Sequence, residues 1–293
     1  MTTRYESAID ADSLVAVDTH VHIESEHGCH SLPDDLRVAA AKYFANGGEF
    51  PGADETSAMY RERSMAAVIF TVDSQRKLDH KGISNDAIID GAIRHPDVLI
   101  PFVSIDPARG EEGVAEAHRL VTERGARGFK FHPTVQDFDP SDRSNWDLFD
   151  AVAELGVPAI FHTGQTGIGA GTPGGHGFRL GLSNPMLLDG VAAAFPKMQI
   201  VMAHPSVPWQ DEAISVATHK SNVWIDLSGW SPKYFPPQLV KQFNSRLQDR
   251  VLFASDYPMI HPDRWVADFA ELEVKDAVRP KIMRENAIRL LGL

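Results

Sequence analysis

His20 and His22 lie two residues apart in the segment Val17-Asp18-Thr19-His20-Val21-His22. In an extended strand that spacing puts both imidazoles on one face, about 7 Å apart along the chain, so their nitrogens can converge on one cation. A His-x-His pair alone is explained as readily by two ordinary polar residues. Two further apolar runs also stop at a histidine, Pro158–His162 and Gln199–His204, and a third, starting at Val251, stops at Asp256 just before Tyr257-Pro258. One such histidine fits a satisfied core residue, and one such aspartate fits a helix cap. The same kind of ending on several runs points to a shared site of three imidazoles and a carboxylate. Nitrogen-rich ligation of this kind suits zinc, with manganese, iron or cobalt as alternatives. A zinc-type ion lowers the pKa of bound water from 15.7 to roughly 7 and polarises a carbonyl.

Such a site needs elements that bring distant residues together. Short apolar runs alternate with segments of helical period, the pattern of a parallel sheet. The predicted strands are Leu14–Asp18, Ala66–Thr71, Leu99–Ser104, Gly128–His132, Pro158–His162, Gln199–His204, Val223–Ser228 and Val251–Ser255. Helices are predicted over Asn85–Arg94, Glu111–Arg124, Trp146–Leu155, Asn184–Phe195, Gln210–His219, Pro237–Leu247, Asp263–Leu272 and Arg279–Leu291. Pro185 and Pro237 suit first helical turns, and Gly125 and Gly156 suit helix ends. Eight strand–helix units with no Pro/Ser-rich linker favour a closed (β/α)₈ TIM barrel of the metal-dependent hydrolase type, spanning 1–293 as one domain. A doubly wound sheet is disfavoured because no GxGxxG turn follows the first strand. Two segments exceed ordinary loops, about 24–64 (with the Gly47-Gly48 patch) and 164–182, the latter with eight glycines. Each follows a histidine-ended strand, so each is expected to shape the mouth where barrel enzymes place their sites.

The formal charge of -12, with no Lys/Arg run, argues against nucleic acid as a partner. It also repels anions, so a site for an anionic substrate requires local cations. The single cysteine, Cys29, excludes an internal disulfide. No stretch approaches the ~20 apolar residues of a membrane span, and the opening residues lack a signal-peptide pattern, so a cytoplasmic location without membrane association is expected. His27, Cys29 and His30 look like a metal cluster on paper, but they fall in a loop and are read as incidental.

The DTHVH start, GFKFHP, FHTG, VMAHPS and FASDYP at successive strand ends, and the closing NAIRLLGL resemble the amidohydrolase superfamily. Within it, the resemblance is to the amidohydrolase-related branch that includes aminocarboxymuconate semialdehyde decarboxylase and resorcylate decarboxylases. It covers nearly the whole chain. It implies one divalent metal, zinc first and manganese second, on His20, His22, His162 and Asp256. It also implies acid–base work by His204 together with Asp256, and a homo-oligomer, a dimer or larger.

Lys130 and His132 share a strand face in Gly-Phe-Lys-Phe-His-Pro. In binuclear relatives a lysine on this strand bridges two metals; here the reading favours one metal, with Lys130 and His132 beside it or on the substrate. His176, Arg179, Trp230, Lys233 and Tyr234 lie in segments expected near the mouth and are candidate contacts for an acidic or aromatic small molecule. The GTPGGHGFR and SGWSPKYF segments resemble a subgroup acting in aromatic catabolism that hydrolyses an aryl β-ketoacyl thioester by retro-Claisen cleavage. Hydrolysis by metal-activated water is therefore ranked first. Non-oxidative decarboxylation of an aromatic or enol carboxylic acid is ranked second. A non-catalytic metal-binding barrel is third, and the presence of both Asp256 and His204 argues against it.

Overall fold

A computed structural model of the chain describes residues 3–45, 48 and 50–293; Gly47 of the glycine patch lies outside them. Eight parallel strands form one sheet in sequential order: β1 (Ala16–His22), β2 (Met65–Phe70), β3 (Leu99–Val103), β4 (Gly128–Phe131), β5 (Ala159–His162), β6 (Ile200–Ala203), β7 (Val223–Asp226) and β8 (Val251–Leu252). The barrel is closed by a parallel bridge between Val21 and Tyr257, with Thr19 N donating to Phe253 O at 3.1 Å and Asp256 N to His20 O at 3.0 Å. The chain is thus a TIM barrel, as the strand–helix alternation predicts.

Two apolar layers hold it together. Val17, Val68, Phe70, Ile100, Phe102 and Trp224 pack inside the barrel. A larger layer, including Val21, Ile69, Phe129, Phe131 and Trp265, packs between strands and helices. Gly128 is required by the inner layer, because a Cβ there would sit 2.3 Å from the Phe102 ring. The last helical stretch, a π-helical turn Lys281–Glu285 running into the helix Asn286–Leu291, closes the base. Buried Asn286 ties it down by donating to Gln248 O and Val251 O. Among the described residues, no helix is long and apolar enough to cross a membrane.

Helix boundaries mostly follow the sequence pattern, with Asn85–Arg94, Trp146–Leu155 and Gln210–His219 found as predicted. The predicted Asn184–Phe195 helix starts later, at Leu187, behind a 3₁₀ turn over Leu180–Ser183. Segment 24–64 folds into a small hairpin (Ser25–Glu26 with Cys29–His30) and the helices Asp34–Phe44 and Ala53–Glu62. The first strand differs most from expectation, running from Ala16 through His22 rather than stopping at Asp18. Its register against β2 moves three residues from Asp18 to Val21 while β2 moves two, from Ala67 to Ile69. One extra residue is therefore accommodated as a bulge, which reverses the alternation of faces. Val17 points into the barrel and Val21 points outward. Without the bulge, His20 and His22 would face the helices.

Candidate metal centre and active-site cleft

The bulge aims His20 and His22 at the barrel mouth, where both Nε2 atoms lie 3.3 Å from Asp256 Oδ1. One ligand-type atom from each of the three residues falls within 4.8 Å of the others, the single such grouping of His, Cys, Asp or Glu among the described residues. Phe70, at the end of β2, supports both rings from below with edge contacts at 4.9 Å. Asp256 adopts φ 72° and His204 φ 71°. Left-handed backbone costs roughly 1–2 kcal/mol in a non-glycine residue, and strain of this kind collects where side chains are aimed for function.

His162 ends β5 beside this trio. Its ring stacks on His132 at 3.8 Å, its Nδ1 lies 2.9 Å from His204 Nε2, and its Nε2 is buried without a hydrogen-bond partner. A buried polar atom without a partner costs about 1–3 kcal/mol. A nitrogen lone pair left in that state, next to a His–His–Asp cluster, fits a cation ligand.

Protonation states agree with that use. Burial, then the Lys130 charge, pulls His20 down to about 3 against the opposing pull of Asp226, so the imidazole is neutral. Burial likewise holds His162 and His132 well below the ordinary histidine range. At Asp256 burial works upward, but the hydrogen bond from His22 and the charges of His20 and His204 outweigh it and hold the carboxyl at about 2. Neutral imidazoles and an ionised carboxylate are the ligand forms a divalent metal requires.

Asp226, which the sequence reading did not single out, organises the site from behind. Its Oδ2 accepts from His20 Nδ1 at 2.9 Å, which fixes the tautomer whose Nε2 carries the lone pair. Its Oδ1 accepts from the backbone N–H groups of His204 and Ser228, both at 3.0 Å. Ser228 Oγ completes the link, 2.8 Å from His204 Nδ1 and 3.1 Å from His20 Nδ1. The available signal was an acid inside the apolar run Val223-Trp224-Ile225-Asp226, buried where only a paired carboxylate is tolerated.

Above the metal-type cluster opens a cleft of about 310 Å³. Both long segments line it: Leu32, Tyr43 and Phe44 from the first, Gln165, Thr166 and Ile168 from the second. Lys130 and His132 line it as expected; Lys130 Nζ lies 2.9 Å from His20 Nε2, and burial lowers its pKa to about 8. Trp230 also lines it, as does Tyr234, which is 62% exposed at the rim. His176 and Arg179 do not. The glycine-rich segment turns outward, so His176 is exposed beside Phe178, and Arg179 is 66% exposed and paired with Asp137 at 2.7 Å. Neither is therefore placed to touch a molecule in the cleft, contrary to the expectation from sequence. Lys233 leans over the Tyr234 ring rather than into the cleft. Cys29 is exposed in the hairpin, and the His27-Cys29-His30 grouping forms no metal cluster.

Imidazoles and a carboxylate projecting together from the strand ends of a (β/α)₈ barrel stand where enzymes of this fold place their active sites. The amidohydrolase family profile matches residues 17–293, and the chain belongs to that family. It is 22% identical over 273 residues to gamma-resorcylate decarboxylase of Rhizobium radiobacter, covering 75% of this chain and 78% of that one. An uncharacterised TIM-barrel protein of Bordetella bronchiseptica has the same fold, with a TM-score of 0.76, 22% identity and coverage of 94% of this chain and 98% of the other. A dihydroxybenzoic acid decarboxylase of Polaromonas sp., solved with bound manganese and the inhibitor 2-nitroresorcinol, also aligns, with a TM-score of 0.68, 18% identity and coverage of 96% and 97%.

Proposed function

We propose that this enzyme is a metal-dependent, non-oxidative decarboxylase of an aromatic carboxylic acid. The observation that carries the reading is the pairing, in one cleft, of the His20–His22–Asp256 cluster and the unpartnered His162 Nε2 with aromatic walls from Tyr43, Phe44 and Trp230. Support for carbon dioxide loss over hydrolysis comes from the relatives, two of which are named as decarboxylases of hydroxylated benzoic acids. This reverses the order in which the sequence alone ranks the two reactions.

His20, His22, His162 and Asp256 would hold the ion. Manganese is supported by the Polaromonas enzyme and zinc by the nitrogen-rich set. When bound, a divalent ion neutralises and orients the substrate's oxygen atoms. The remaining work falls to side chains. The aromatic walls hold the ring in one plane and keep water from it. Lys130, buried and cationic below pH 8 or so, offsets the negative charge of the incoming acid. As the bond from ring carbon to carboxylate breaks, its electron pair stays on the ring and one proton must be delivered to that carbon. Asp256, beside His20 and His22, is the group that would carry a proton from a substrate hydroxyl to that carbon. His204 stands beside it, fixed by Ser228 and His162, as the second group able to move that proton.

Incubating metal-loaded protein with a panel of hydroxybenzoates, and separately with an aryl β-ketoacyl thioester, tests the reading by mass analysis. Carbon dioxide and the matching phenol are expected from the first. Free thiol release from the second, with no reaction in the first, would overturn it.

A further inference from the structure

Two acidic side chains line the cleft, Asp256 and Glu24. Asp256 belongs to the metal-type cluster; Glu24 is not among the candidate ligands. It follows β1 two residues after His22, and Ile23 between them packs in the outer layer against the helices. Alternation therefore returns Glu24 to the side of His22, about 7 Å further along the chain. Its backbone is pinned in both directions, with the N–H donating to Pro51 O at 3.1 Å and the carbonyl accepting from Ser31 N at 3.2 Å. The residue is 3% exposed.

A buried carboxylate is tolerated when donors take both of its oxygens. Asp18, Glu26, Asp106 and Asp226 are held in that way, by Ser255 N and Tyr60 Oη, by Arg94 and Ala53 N, by Ala108 N and Arg76, and by His204 N and His20 respectively. Glu24 is not. Its Oε2 accepts from Ser31 Oγ, and among the described residues its Oε1 accepts nothing and no lysine, arginine or histidine pairs with the group. Among the buried acids of the described residues, those not taken on both oxygens are thus the two that line the cleft. The neighbouring strand end holds a hydroxyl in the same state: Thr71 lines the cleft with its Oγ1 buried and unpartnered, next to the bond from Ile23 N to Phe70 O at 3.0 Å.

We propose that Glu24 is a specificity-determining residue whose spare oxygen accepts a hydrogen bond from an O–H or N–H donor carried by the substrate ring, on the side away from the carboxylate held at the cluster. The displacement of Glu24 along the strand from His22 is comparable to the width of a substituted benzene ring, so the group it meets lies remote from the carbon that loses carbon dioxide. A fixed carboxylate discriminates sharply. It gains a charge-assisted bond from a hydroxyl or amino substituent, whereas a substituent that cannot donate leaves it buried and unpaired. A second anion at that position is repelled. This assignment rests on the decarboxylase reading for the orientation of the ring, though not for the hydrogen bond.

Titration calorimetry on the metal-loaded full chain compares 2-hydroxybenzoate, its 4- and 5-hydroxy and -amino derivatives, and the matching fluoro derivatives, which are compact but cannot donate. A donor-bearing derivative is expected to bind about tenfold or more tighter than its fluoro counterpart, the scale of one hydrogen bond to a charged group, and the hydroxy and amino arms show which donor is preferred. Glu24→Met, close in length but without an acceptor, abolishes the difference without weakening 2-hydroxybenzoate. Glu24→Gln keeps an acceptor oxygen and retains part of the difference; it decides the matter should Glu24→Met fail to fold. In turnover Glu24→Met raises KM for the donor-bearing acid more than it lowers kcat. Ser31→Ala keeps the preference, because Ser31 occupies the other oxygen. No preference in wild type, a full preference surviving in the Glu24 variants, or a loss in Ser31→Ala as complete as in Glu24→Met overturns the assignment. The stated binding pattern with no carbon dioxide from any of these acids would defeat the decarboxylase reading alone.

Discussion

Asp226 carries more of the site than its absence from the ligand set suggests, because one carboxylate orients His20 and the loop that presents His204. Asp226→Asn keeps the shape but removes the charge that fixes the His20 tautomer. Metal affinity should fall about 10- to 100-fold, read by competition with a chromophoric chelator, while the fold is retained. Unchanged affinity would show that Ser228 alone suffices. Gly229 is constrained in another way: at φ +71°, a Cβ would lie 2.6 Å from His204 Nδ1. Gly229→Ala should cost at least ~1 kcal/mol from the backbone alone. It should also displace His204, so that thermal stability and kcat drop together. Asp256→Asn should abolish turnover, and full activity in that variant would refute its role. His162 and Asp256 were legible as mouth residues because each ends an apolar run, and His20 and His22 because a two-residue spacing puts them on one face. Asp226 was hidden because its importance lies in partners more than 20 residues away.

At the scale of elements, the β1 bulge decides whether His20 and His22 face the barrel mouth or the surrounding helices. Asp18 pins it from outside, accepting from Ser255 N at 2.9 Å, His20 N at 3.2 Å and Tyr60 Oη at 2.6 Å. Tyr60→Phe deletes one of these donors while keeping the ring packed, and should destabilise the protein by about 1–3 kcal/mol in urea denaturation. A second tie across the same seam joins Arg63, beyond the helix Ala53–Glu62, to Asp263 at the start of Pro262–Ala270. The Arg63 hydrogen bonds hold the Asp263 carboxyl below its ordinary range. A depressed folded value makes the unfolded chain bind protons first. The contribution is therefore complete above the ordinary carboxylate pKa and is lost as pH falls through the lowered one. Solvent screening limits it to about 0.5 kcal/mol. Asp263→Asn should show that deficit at pH 7 and none near pH 2. Alternation of faces, the rule that placed His20 and His22 together, holds within the segment. It does not predict which way the pair points, because the bulge that Asp18 pins depends on partners distant in sequence, Ser255 and Tyr60, which alternation along β1 does not encode.

For the whole molecule, a metal held as proposed would link chemistry to stability, since the proposed ligands come from β1, β5 and the end of β8, far apart in sequence. A ligand that binds only the folded chain stabilises it by about 2.7 kcal/mol at one hundred times its dissociation constant. Chelation should therefore lower Tm, and restored metal should return it; an unchanged Tm would separate the cluster from ion binding. The sequence by itself determined the barrel, its strand order and the identity of the residues at the mouth, because periodicity and strand-end chemistry are local and repeat eight times. Tertiary structure alone decided that the glycine-rich segment carries His176 and Arg179 away from the cleft, that Glu24 lines it with one carboxylate oxygen unpartnered, and that Asp226 holds the site together. Those outcomes depend on where loops travel and which charges find partners, and distance in space is not encoded by spacing along the chain.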